Sequence, residues 1–558
     1  MERACKQCQT SFEVTGSDMA FYDKVSPIVG DQKLSLPPPT LCPPCRRQRR
    51  LAFRNERHLY RRRCDLCKAE VVSVYAPDAP YKAFCTSCWW SDRWDPLSFG
   101  RAFDPQRPFF EQYRELLLAV PKITLMHMHS ENAEYVAYSI HYKNSYMCVS
   151  GVDGESLLYT YYVSESKDCT DCSILYRSEL CYECTCGDHL YHCISCFDCE
   201  SASDAILCFD CKNCRNCIGC VGLRGKQYCV LNAQRTKEEY EGMARSFQED
   251  YAKTFSALLP KVLDLKLRHP HLHAILTNSE DSTGHLLYNS RNARECFECT
   301  DLEDCAYCTN ILYSKDCCDC HYLPNGELML EVVSSNQPSR QCFCYTCWES
   351  HDLLYCYECM NCRDCFGCVG LRKKRYCIFN TQYTKEGYEE LAPRIVARMR
   401  DTKEYGEYFP VQLSTFAYNE SVSSEEFPLT KEEVQERGWQ WEEQIDEPAQ
   451  VAMVFDAHLL PDTIDAVPDD ILNWAIRCEV TKRPFRIVKQ ELQFYRKLQL
   501  PIPHLHPDER YRRRMALRNP RRLWPRACAK CSKPIQTTYA PERSEKVVCE
   551  ACYLQAVY

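Results

Sequence analysis

Residues 208–220 read CFDCKNCRNCIGC and residues 356–368 read CYECMNCRDCFGC, each with five cysteines at a strict spacing of three. A step of three matches neither the 3.6-residue turn of a helix nor the two-residue alternation of a plain strand. Outward from 208, Cys172, Cys184, Cys196, Cys208 and Cys220 form one row of period 12. Cys169, Cys181, Cys193, Cys217 and Cys229 form a second, with Ala205 filling its gap, and a third holds Val163, Leu175, Gly187, Cys199, Cys211 and Leu223. Cysteines that share rows with small and apolar residues face inward. We therefore read them as small buried hydrophobes of a narrow β-solenoid with short sides and frequent corners.

The block is duplicated: eleven cysteines from Cys148 to Cys229 return 148 residues later, from Cys296 to Cys377. A helix is expected after each copy, with Thr236 and Glu239 forming a capping box, Thr430 and Glu433 another, and Thr384 a cap with Gly387 at the glutamate position. A further helix lies between Pro108 and Pro121, with Phe109, Tyr113, Leu116, Leu117 and Val120 on one face. The CxxCxxC runs offer an alternative, an iron–sulfur electron-transfer protein, but the final x3 spacing is missing and Val221 stands where a proline is expected.

Of the 44 cysteines, twelve fall into three tetrads near the ends. Cys64, Cys67, Cys85 and Cys88 recur 464 residues on as Cys528, Cys531, Cys549 and Cys552, and Tyr75-Ala76-Pro77 recurs as Tyr539-Ala540-Pro541. Cys5, Cys8, Cys42 and Cys45 form a tetrad with a longer insert. Two CxxC knuckles bring four thiolates to one tetrahedral ion and leave no open position for a catalytic water, so about three structural zinc ions are expected. The C-terminal counterpart of the long ribbon has Cys478, Thr481, His506 and Glu509 at the ligand positions. Threonine is a poor zinc ligand, so this copy is expected to keep the ribbon fold without metal.

Charge is uneven. The net charge is −8, yet 46–63 holds nine arginines against one glutamate and 510–526 holds eight with no acid. Both segments sit between a long and a short ribbon. Arg46, Arg49, Arg50, Arg54, Arg57, Tyr60 and Arg62 on one side, and Arg510, Arg513, Arg514, Arg518, Arg521, Trp524 and Arg526 on the other, are the candidate nucleic-acid contacts. Guanidinium forks track phosphates, and an aromatic stacks on an unpaired base. The competing reading makes these arginines braces against an acidic body. Carboxylate pairs for glycoside cleavage would have to come from Asp168, Asp171, Asp198 and Asp210, which also suit ordinary turns. The histidines at 127, 129, 269, 271, 273, 504 and 506 lack a HExxH helix.

CPPCRRQRRLAFRNERHLY from Cys42, CWWSDRWD from Cys88, GCVGLR with the following TKE, and DDILNWAIRCEVTKRPFR from Asp469 resemble the multi-zinc-ribbon, Cys-rich-repeat proteins of candidate phyla radiation bacteria. That resemblance implies no established activity. A CoA-transferase label on some of those proteins finds no GxGxxG turn or GxSxG elbow here.

The expected fold is multidomain and β-rich, with duplicated zinc ribbons at both termini flanking a two-copy Cys-rich β-solenoid with bracing helices. The divisions are a long zinc ribbon with its Arg-rich segment (1–63), a short ribbon (64–95), a helical linker (96–123) and the first Cys-rich block (124–231). A helical insert (232–271), the second block (272–379), a helical region (380–468), the degenerate ribbon with its Arg-rich segment (469–527) and a short ribbon (528–558) follow. The functional expectation is a non-enzymatic zinc-binding scaffold for a macromolecule, RNA or a ribonucleoprotein, with a purely structural protein-assembly scaffold as another reading. With no signal or membrane-spanning segment to be read in the chain, a cytoplasmic location is expected, where thiols stay reduced.

Overall fold

The computed structural model describes residues 1–443 and 453–557, so the region expected at 380–468 falls partly outside it. The spacing of three has a backbone cause. From Tyr138 to Leu231, and again from Leu286 to Phe379, every third residue is left-handed, with φ between 46° and 67°. Each triplet is an inward residue, an extended residue and a left-handed corner. Asp210, Asn213, Asn216, Gly219 and Gly222 are residue types that tolerate such corners. Ile174 and Leu207 adopt the same conformation at a cost of order 1–2 kcal/mol each. Hydrogen bonding offsets that cost: Leu207 N–H donates to Ile194 O (2.8 Å) and Asp210 N–H to Phe197 O (2.9 Å).

Strands pair in parallel with a register of 12. Ser173 faces Thr185, Ser203 faces Arg215, and Arg215 faces Gln227. Between them run single bridges such as Glu179 with Tyr191 and Tyr182 with Ile194. In the second block the strands join into one sheet of eleven in chain order. The cysteine rows are buried, and each thiol uses its weak donor on the main chain: Cys208 Sγ–H donates towards Ile206 O and Cys217 O, both at 3.5 Å. Burial pushes the Cys148 thiol up to about 11, which keeps it neutral. All the cysteines are free thiols.

An asparagine closes the last edge of each block by imitating a strand. Asn232 accepts from Val221 N–H and donates to Val221 O, both at 2.8 Å, and Asn380 does the same with Val369. Helices follow at Lys237–Glu249, with the Thr236–Glu239 capping box, and at Lys385–Asp401, capped by Thr384. The helix expected after Pro108 spans Phe109–Ala119 and buries Phe109, Tyr113, Leu116 and Leu117. Among the described residues no helix is long and apolar enough to cross a membrane.

The chain divides into two compact units, Met1–Leu125 with Ala274–Ile445 and Arg521–Leu523, and Met126–His273 with Asp446–Pro520 and Trp524–Tyr558. The N-terminal ribbons therefore share a unit with the second Cys-rich block, and the C-terminal ribbons with the first. Each ribbon set passes over one block to reach its partner.

Candidate metal centres

Each tetrad is built from a hairpin and a helix start. Cys64 and Cys67 follow the strand Tyr60–Arg63, and Cys85 and Cys88 bracket the start of the helix Thr86–Trp90. Cys528 and Cys531 follow Trp524–Ala527, and Cys549 immediately precedes Glu550–Val557. In the long ribbon, Cys42 caps the helix Pro43–Leu51, which carries Cys45. The tight knuckle needs a left-handed residue after the second cysteine, supplied by Gln9, Lys68 and Ser532. It is closed by bonds such as Lys68 N–H to Cys64 O and Ser532 N–H to Cys528 O, both 2.9 Å.

In all three groups the four sulfurs lie within 4.8 Å of one another, so each could hold a metal ion. Across the knuckles Cys8 and Cys42 lie 3.6 Å apart, Cys531 and Cys549 3.7 Å, and Cys67 and Cys85 3.9 Å. Sulfurs about 2.3 Å from a central zinc stand somewhat under 4 Å apart, so the spacing fits a tetrahedral ion. Without an ion the surroundings favour a thiolate at one position of each short ribbon, while burial and the neighbouring sulfurs push Cys88 and Cys552 up to about 12. Burial opposes ionisation of Cys64, but the N–H groups of Cys67, Cys85 and Leu66 hold it down at about 6. Burial likewise opposes ionisation of Cys528, which the N–H groups of Cys549, Cys531 and Lys530 hold at about 6.

The degenerate ribbon keeps the knuckle without the ligand set. Lys482 is left-handed, its N–H donates to Cys478 O (3.1 Å), and Cys478 N–H donates to Arg483 O (3.0 Å). Glu509, at the fourth ligand position, is bound by Arg512 and Arg513, both at 2.8 Å. His506 Nδ1 accepts from Asp508 N–H at 3.1 Å. Among the described residues the block cysteines form no comparable group of ligand atoms around a single ion.

The arginines singled out for nucleic acid are largely consumed inside the units. Arg46 reaches Asp319 (2.7 Å), while Arg50 reaches Asp319 (2.8 Å) and Glu331 (3.2 Å). Arg49 joins Glu331 (2.9 Å) to Glu407 (2.7 Å), and Arg54 binds Glu56 beneath the Tyr322 ring. In the other unit, Arg510 and Arg514 both bind Asp171. All six side chains are buried. Tyr60 is buried with its hydroxyl on Glu420, and Arg521 binds Glu298 and Glu426. At the periphery Arg57 pairs with Glu425 (3.6 Å), Arg62 with Asp65 (3.0 Å) and Arg526 with Ala540 O (3.4 Å); Arg518 lies against Met515 Sδ (3.6 Å). Trp524 is half-buried on its hairpin, and Arg513 is exposed.

Three of the four carboxylates considered for glycoside cleavage are the receivers: Asp171 for the arginines, Asp168 for Lys497 (2.8 Å), and Asp210 for Arg224 (2.8 Å) and Tyr553. The lock falls on positions related by both duplications. Arg46 and Arg510 differ by 464, and Asp319 and Asp171 by 148, the two duplication offsets. Asp319 and Glu331 occupy left-handed corners one register apart, which stacks two carboxylates for a fork of arginines.

No protein-family model matches this chain, and no curated protein matches it.

Proposed function

We propose that this protein is a non-enzymatic, zinc-stapled scaffold in which each Cys-rich block is a closed β-solenoid and each ribbon set locks onto one block. The observation that carries it is the burial of the arginines against corner carboxylates. Arg46, Arg49, Arg50, Arg54, Tyr60, Arg510 and Arg514 are turned inward and favour the structural protein-assembly reading, while Arg513 and Trp524 are what an RNA-binding surface retains. The register of 12, present in nearly all the parallel strand pairs and in the bridges between them, supports solenoid closure. Zinc is the metal suited to all-thiolate tetrads that need no redox change.

Metal analysis with an absorption spectrum of anaerobically purified protein tests the assignment. Three zinc ions and no visible band are expected, falling to two in Cys531→Ser and staying at three in Cys478→Ser. Iron with a broad band near 400 nm overturns it.

A further inference from the structure

The two short ribbons have the same tetrad, but a guanidinium touches only one of them. Arg93 Nη2 donates to Cys88 Sγ in the N-terminal copy. The position 464 residues later is Val557, and among the described residues no side chain outside the tetrad donates to a sulfur of the C-terminal copy. Lys530 and Lys533 stand on that knuckle, but Lys530 is bonded to Gln555 (3.0 Å). Position 86, a threonine, becomes Glu550, which places a carboxylate directly after Cys549. Cys531 is exposed.

Four thiolates around a divalent ion leave a net charge of −2. A cation bonded to one sulfur withdraws electron density and lowers the nucleophilicity of the group, as outer-shell partners do at metal sites generally. We propose that, of the two short ribbons, the C-terminal tetrad is the thiol-modification site, with Cys531 attacked before Cys67 by electrophiles such as maleimides and quinones. The Cys531 sulfur donates its electron pair to the electron-poor carbon of the alkene and forms a C–S bond. The resulting carbanion takes a proton from water. The thioether is a far weaker ligand, so the metal loses one bond and then leaves.

Its release has a structural address. The helix after Cys549 carries Tyr553, whose hydroxyl binds Asp210 and whose ring lies under Arg224 at 5.8 Å. The strand before Cys549 pairs Val547 and Val548 with His271 and Leu272. Metal and these contacts hold the same short segment, so alkylation frees the C-terminal ribbon from its block.

This inference rests on the zinc reading, and the experiment separates the two. Full-length zinc-loaded protein is treated with limiting N-ethylmaleimide, metal release is followed with a chromogenic chelator, and adducts are mapped by peptide mass spectrometry. The expected result is one zinc released first, with Cys531 labelled roughly tenfold faster than Cys67, and Arg93→Ala bringing the Cys67 rate up to that of Cys531 with the zinc count unchanged. Protein that carries no zinc before treatment overturns the metal reading itself. Three zinc ions with equal labelling of Cys67 and Cys531, or an Arg93→Ala rate equal to wild type, overturn this inference alone.

Discussion

The two units solve one assembly problem with unequal means. Both lock a ribbon set onto a Cys-rich block through paired positions: Lys24–Asp316 (2.6 Å) answers Lys497–Asp168 (2.8 Å), and Arg372 over Trp89 (5.6 Å) answers Arg224 over Tyr553 (5.8 Å). Yet the first unit has two complete tetrads and the second has one. The first adds Arg49 across Glu331 and Glu407, whereas its counterpart Arg513 turns back to Glu509. The knuckle at Cys478 keeps its shape without the full ligand set, and its ribbon packs Ile476, Phe485, Leu492, Phe494 and Tyr495 into one core with Leu158, Tyr182 and Ile194 of the block. Burial can replace a metal staple where the lock is retained.

Breaking the lock is the harshest test of that equivalence. Asp319→Asn and Asp171→Asn each leave buried guanidinium groups short of a counter-charge, which costs roughly 3–5 kcal/mol. Hydrogen exchange should show protection lost in the unit carrying the substitution and retained in the other. Equal loss in both units would show that the lock does not act unit by unit.

Acid should act next, and through different histidines: burial lowers His127, His269, His271 and His273 in the second unit and His321 in the first. His321 accepts from Arg50 (3.2 Å), and its counterpart 148 residues earlier is Ser173. Burial, with Arg50 and Arg47, holds the imidazole well below its ordinary 6.5. The native state therefore binds fewer protons than the unfolded one below about 6.5, and stability present above that pH is lost at roughly 1.4 kcal/mol per pH unit beneath it. The first unit should lose protection between pH 6.5 and 5 in proportion, and His321→Ser should remove that slope. An unaltered slope in the variant would assign the acid sensitivity elsewhere.

The smallest effect should be in the cysteine rows. Cys208→Ala and Cys356→Ala each remove one buried sulfur, at a cost of about 1–2 kcal/mol, with no change in zinc content. A metal lost from either variant would make these runs ligand sets after all.

The tetrads and the inward cysteines were legible in the sequence because fixed spacing encodes local geometry. The corner residues could have been read too: the Asp, Asn, Asn, Gly, Gly series from Asp210 to Gly222 marks left-handed positions, although Ile174 and Leu207 hide the pattern elsewhere. The fate of Arg46, Arg50, Arg510 and Arg514 was not decidable from charge alone. A cationic helix suits a phosphate backbone or a stack of carboxylates equally, and which it meets depends on contacts hundreds of residues away. The crossed pairing of ribbons and blocks is likewise absent from local text, since Asp171 and Asp319 offer the N-terminal arginines the same corner.

That crossing sets a schedule for biosynthesis. The N-terminal arginine helix leaves the ribosome first, and Asp171 emerges 148 residues ahead of its proper partner Asp319. At about 5–20 residues per second the wrong carboxylate is unopposed for roughly 7–30 seconds. Faithful assembly then depends on that early union being weak enough to dissolve. Glu407, still later in the chain, completes the Arg49 bridge only in the correct unit. The bridge can therefore form only after both of its carboxylates have been made, and only within the correct unit.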